Sequence, residues 1–86
     1  MPYSVRLRPA AQKELDEVRQ RDYDSIAKVI TSLEKNPRPS RVKKLAQSGL
    51  WRLRVRDYRV VYAIDDANKS VIIVRVARRR EDTYRI

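Results

Sequence analysis

From Tyr3 to Arg8 apolar and polar residues alternate. Tyr3, Val5 and Leu7 fall on one side and Ser4, Arg6 and Arg8 on the other, the period of a half-buried strand. Pro9 ends it, and because proline suits a first helical turn a helix is predicted to begin there. Ala11, Leu15 and Val18 then recur at helical spacing. Gln20–Asp22 interrupts the pattern, and Asp22 or Asp24 has the short polar side chain that caps a second helix. That helix carries Tyr23, Ile26, Ala27, Ile30 and Leu33 on one face and closes at Asn36-Pro37. The pair reads as a helical hairpin.

The period returns to two at Trp51. Trp51, Leu53 and Val55 alternate with Arg52, Arg54 and Arg56, so one face of this strand is apolar and the other carries three guanidiniums. Tyr58–Asp65 is predicted as the next strand and Asp65–Lys69 as a hairpin turn. Val71–Arg78 follows as a last strand, and its run of Val and Ile predicts burial on both faces. Tyr58 and Tyr62 share a face with Val60 and Ile64, and Trp51 with Leu53 and Val55, which assigns all three aromatics to the core. Glu14, Asp16 and Glu17 fall on the polar side of the first helix and are expected in solvent. The order β-α-α-β-β-β predicts an α+β domain spanning residues 1–86. Its last three strands form an antiparallel meander, and its first strand joins the sheet edge.

The chain has 86 residues, enough for one small domain, and neither Cys nor His. Those absences exclude a disulfide scaffold, a thiol nucleophile, a Ser-His-Asp triad and an HExxH metalloprotease. The sole glycine, Gly49, excludes a Gly-rich phosphate loop. Runs such as Val60–Ile64 are too short to span a bilayer, and the N-terminus lacks the plan of a signal peptide. The second helix has few cations on its polar side, unlike a helix lying in a membrane interface. A soluble cytoplasmic domain without membrane contact is expected. Asp65 and Asp66 read as turn residues rather than a metal pair, and no metal or cofactor is implied.

Charge sharpens this picture. The formal net charge is +10 at pH 7, from 21 Lys+Arg against 11 Asp+Glu, and residues 37–86 hold +9 of it. Such a surplus repels itself and favours a polyanionic partner. Arg52 and Arg54 share a strand face about 6–7 Å apart, Arg56 extends the row, Arg59 opens the next strand and Arg79 follows the last. Guanidinium forks match phosphate geometry and stay charged at physiological pH. Tyr84 in the tail adds an aromatic that suits base stacking. A solvated sheet face carries exposed arginines too, so the row alone does not define a site.

The segments Leu50-Trp51-Arg52-Leu53-Arg54-Val55, Asp57-Tyr58-Arg59-Val60-Val61-Tyr62, Val76-Ala77-Arg78-Arg79-Arg80 and Tyr84-Arg85 together resemble the RelE family of toxin–antitoxin systems, within the RelE/ParE superfamily. The resemblance covers essentially the whole chain. It implies a microbial-ribonuclease-like fold and a type II toxin that enters the ribosomal A site and cuts mRNA without a metal. The ribose 2′-OH attacks the adjacent phosphate, giving a cyclic phosphate and a free 5′-OH. By this resemblance Arg52, Arg54, Arg59, Arg79 and Tyr84 are the expected catalytic set, and Lys43, Lys44, Arg56, Arg78 and Arg80 the expected RNA contacts. Partners are the ribosome, mRNA and a RelB-like antitoxin, with operator DNA reached only through the antitoxin. Arg78 stands where many members have histidine or lysine, and some members have lysine at the positions of Arg52 and Arg54. Arginine rarely acts as a base, so these side chains are expected to hold the phosphate and stabilise its transition state. Tyr84, a ribosomal RNA group and water all stay open as acceptor of the 2′-OH proton. Two rivals remain: a ParE-like toxin of the same fold that poisons DNA gyrase, and a noncatalytic RNA- or ribosome-binding module.

Overall fold

A computed structural model of the protein describes residues 2–78. The elements are β1 (Ser4–Leu7), α1 (Pro9–Asp16), α2 (Gln20–Ser32), β2 (Lys43–Lys44), β3 (Trp51–Val55), β4 (Tyr58–Asp65) and β5 (Ser70–Arg78). The strands form one sheet in the order β1-β5-β4-β3-β2. β1 runs parallel to β5, with Ser4 opposite Ser70 and Leu7 opposite Ile73, and every other pairing is antiparallel. The α+β order expected from the sequence is therefore present, with one addition: Lys43 and Lys44 pair with Arg52 and Trp51 as a short edge strand. Gly49, at φ +72, turns the chain between these two strands, where its N–H donates to the Leu45 carbonyl.

The helices lie on one face of the sheet. Ala11, Leu15, Val18, Ile26, Ile30 and Leu33 meet Leu53, Val55, Tyr58, Val60, Tyr62, Val71, Ile73 and Val76, and all are buried. Pro9 does open α1. Neither aspartate caps α2: Arg19 holds the cap position without a side-chain bond, and Asp22 lies one turn in. There its charge still suits the positive end of the helix dipole. Tyr23, expected in the core, is exposed, because the buried stripe runs through Asp22, Ile26 and Ile30 instead. Trp51 is half-buried at the rim of the core.

β5 departs from the expectation of two buried faces. Val71, Ile73 and Val76 face the helices, whereas Ile72 is exposed and Val74 half-buried on the other side. Strict alternation would place Arg75 beside Val71 and Ile73 in the core. A bulge prevents this: Val61 pairs with Arg75 but Tyr62 with Ile73, so an extra residue enters β5 and Val76 takes the inward position. Glu14 completes the arrangement. β1 ends opposite Ile73, so on that edge the next stretch of β5 has no strand neighbour among the described residues. The Glu14 carboxylate accepts the Val76 N–H at 2.9 Å and pairs with Arg75 at 2.9 Å. Glu14 is therefore a structural ligand of β5 rather than solvated helix surface.

A second polar cluster closes the opposite end. Arg38 grips both carboxylate oxygens of Asp66, at 3.2 and 2.8 Å, and the Tyr3 hydroxyl donates to the same group at 2.6 Å. The buried Tyr62 hydroxyl donates to the Pro37 carbonyl at 2.7 Å. Asp65 accepts from both the backbone and side-chain nitrogens of Asn68, which closes the β4–β5 turn as expected. No helix among the described residues is long and apolar enough to cross a membrane.

Candidate nucleic-acid interface

The two-residue period of β3 sends Arg52 and Arg54 to the sheet face away from the helices, because Leu53 and Val55 are held in the core. Register then determines their neighbours. Lys43 of β2 lies opposite Arg52, and Arg59 of β4 lies opposite Arg54. A groove of about 370 Å³ opens here, lined by Arg41, Lys43, Arg52, Arg54 and Arg56. Among the described residues five cations and no carboxylate line it. Its mutual repulsion is an energetic cost that a bound polyanion removes. Guanidinium forks spaced along a strand suit successive phosphate oxygens.

The expected residues separate into groups. Arg52, Arg54, Lys43 and Arg56 come together in the groove. Arg56 reaches it from the β3–β4 turn, at φ +53, rather than as the next residue of the strand row, and its Nε donates to Asp22 at 2.7 Å. Arg59 is buried, next to Ala77 of β5 in the register. Lys44 points the other way: its ammonium lies 5.6 Å from the Trp51 ring centroid, and the Arg38 guanidinium lies 5.0 Å from the same centroid. Arg78 lies opposite Tyr58, a position whose parity belongs to the helix-facing side. Its half-buried side chain is therefore not aligned with Arg54 and Arg59. Arg79, Arg80 and Tyr84 lie outside the described residues. Arg41 went unnoticed in the sequence, since it stands in an aperiodic loop, and only the pairing of Lys43 with Arg52 carries it to the groove.

Titration shifts mark the Tyr3–Arg38–Asp66 cluster and its surroundings. Asp66 is held down to about 2, first by the hydrogen bond from Arg38 and then by that from Tyr3. Tyr3 is raised by donating to Asp66, and burial pushes Tyr62 up to about 12. Asp65 is lowered by its bonds to Asn68. These shifts all belong to groups that join segments of the fold. Among the described residues no group of three or more acidic side chains is placed to hold a metal ion.

Residues 5–83 match the family model described as the ParE toxin of the type II toxin–antitoxin system parDE. The structure is similar to the toxin–antitoxin complex RelBE2 from Mycobacterium tuberculosis, with a TM-score of 0.81, 29% identity, and coverage of 92% of this chain and 100% of that one. It is also similar to the archaeal RelE–RelB complex from Pyrococcus horikoshii OT3, with a TM-score of 0.82, 29% identity, and coverage of 94% and 99%. The chromosomal ParDE system of P. aeruginosa shares the fold at a TM-score of 0.73 and 13% identity, over 88% of this chain and 95% of that one. A search of curated proteins found no match. A helix-backed sheet that presents a cationic groove, matched over nearly its whole length by the toxin model, places the chain in the ParE toxin family of type II toxin–antitoxin systems, within the RelE/ParE superfamily.

Proposed function

We propose that this toxin is a ribosome-dependent endoribonuclease of the RelE type, held inactive by a RelB-like antitoxin. The observation that carries the reading is the groove: among the described residues it is lined by five cations, three of them arginines from β3 and its turn, and by no carboxylate. The likeness to two RelE–RelB complexes at 29% identity supports it. In this mechanism the 2′-oxygen of the bound mRNA forms a bond to the adjacent phosphorus, and the bond from phosphorus to the 5′-oxygen breaks. The 2′-OH proton leaves to a base and the 5′-oxygen gains a proton. Arg52 and Arg54 hold the phosphate and stabilise the extra negative charge of the pentacoordinate transition state. Arginine keeps its proton at neutral pH, so the base is another group: Tyr84, a ribosomal RNA group or water.

The match to the ParE model supports a second reading, poisoning of DNA gyrase. Primer extension on a defined mRNA, with and without ribosomes, separates the two. New 5′ ends that form only with ribosomes are expected. Growth arrest with intact mRNA and broken DNA would replace this reading with the gyrase one. Salt-dependent RNA binding with no cleaved product would leave a noncatalytic binder.

A further inference from the structure

Asp22 is an acid buried where the helical pattern calls for an apolar residue. It is 6% exposed and sits in the first turn of α2. Its Oδ1 accepts the Nε–H of Arg56 at 2.7 Å, across 34 residues of sequence. Arg56 has left-handed backbone geometry at φ +53, a region that disfavours side chains with a Cβ. Its side chain is 52% exposed and lines the groove. A turn that needs positive φ ordinarily selects glycine or asparagine. An arginine there gives up backbone ease and gains a cation whose position is fixed by a partner.

We propose that Asp22 is a positioning residue for RNA. Its buried carboxylate clamps Arg56 by Nε and directs the two terminal amino groups to a phosphate in the groove. This rests on the RNA-binding reading above. The chemistry favours it because a guanidinium has donors on two sides: one carboxylate occupies Nε, and the Nη groups remain for a second anion. The clamp also answers a specific difficulty. Five like charges around one groove push each other toward solvent, and a single fixed carboxylate holds one of them at the wall without placing negative charge on the groove lining. Asp22 is not itself among the lining residues.

The test compares Asp22→Ala, Asp22→Asn, Arg56→Ala, Arg56→Lys and the double variant Asp22→Ala/Arg56→Ala. Binding of a short single-stranded RNA oligonucleotide is read by fluorescence anisotropy at several salt concentrations, with a thermal melt of each variant. Asp22→Ala is expected to weaken binding about 5- to 10-fold, the scale of one charge-assisted contact, and Asp22→Asn less. Arg56→Lys keeps the charge but loses the two-sided donor set, so it should lose about as much. Once Arg56 is alanine, removing Asp22 should cost nothing further in affinity, even where it lowers the melting temperature. Losses that simply multiply in the double variant, or wild-type affinity in Asp22→Ala, would overturn the proposal. If the wild-type chain shows no salt-dependent RNA binding, the functional reading falls and takes this one with it. If wild type binds RNA and only the Asp22 variants fail to differ, the clamp alone is rejected.

Discussion

The groove and the Tyr3–Arg38–Asp66 cluster are both rich in cations, and they use them in opposite ways. In the cluster each charge is answered from within. Arg38 grips Asp66, Tyr3 donates to the same carboxylate, Lys69 lies 5.2 Å from the Tyr3 ring centroid, and Lys44 covers Trp51. In the groove five cations line one space, and the carboxylate of Asp22 touches Arg56 alone among them. The cluster ties the β4–β5 turn to the loop after α2. Apart from that pair, the described residues leave the groove's repulsion for an anion to relieve. On the proposed reading, function is marked less by where positive charge lies than by where the described residues leave it unanswered.

The largest effect should come from the groove. Arg52→Ala combined with Arg54→Ala should reduce cleavage of ribosome-bound mRNA roughly 100-fold, about a tenfold loss for each phosphate contact. The melting temperature should hold or rise, because a like-charged pair is gone. A large fall in stability would show that these arginines serve the fold, and the contrast would fail. Glu14→Ala should do the reverse. It strands the Val76 N–H and the Arg75 guanidinium, costing about 1–3 kcal/mol in urea unfolding, with cleavage by the folded protein little changed. Tyr62→Phe should cost about 1 kcal/mol by removing the bond to Pro37. It also sharpens the contrast through pH. The folded Tyr62 is pushed up to about 12, above its unfolded value near 10. Its contribution is therefore complete below pH 10 and is lost as pH rises toward 12, a slope that the phenylalanine variant should lack. The smallest effect belongs to Asp66. Its carboxylate, held at about 2 against an ordinary 3.8, contributes stability above pH 3.8 that disappears as pH falls toward 2. Acid titration of Asp66→Asn should flatten that limb.

Much of this was legible in the sequence, for definite reasons. The period of two in Trp51–Arg56 placed Arg52 and Arg54 on one face, because Leu53 and Val55 have only one way to reach the helices. The helical spacing of Ala11, Leu15 and Val18 was equally binding. Periodicity was silent where pairing partners decide. Two lysines carry no alternation, so β2 was invisible until Lys43 met Arg52, and Arg41 came with it. The apolar pattern also misled at two places. It continued the row through Arg56, where the chain had already turned, and the Val and Ile run of β5 suggested two buried faces where a bulge turns Arg75 to Glu14 and leaves Ile72 exposed. Glu14 looked like a surface acid and Asp22 like a helix cap, because nothing in a helical pattern shows which distant strand or turn will need an acceptor.

The parallel pairing of β1 with β5 has a consequence in time. It joins Ser4 to Ser70, 66 positions along the chain, and non-local contacts of that span slow the search for the native state. The hairpin that bears Arg52 and Arg54 closes locally, while β1 and β4 both wait for β5 as their neighbour. The cationic hairpin therefore precedes in the chain the strand that joins it to β1. Of the pairings in this sheet, the seam between β1 and β5 therefore carries the greatest topological cost, because its partners lie farthest apart along the chain.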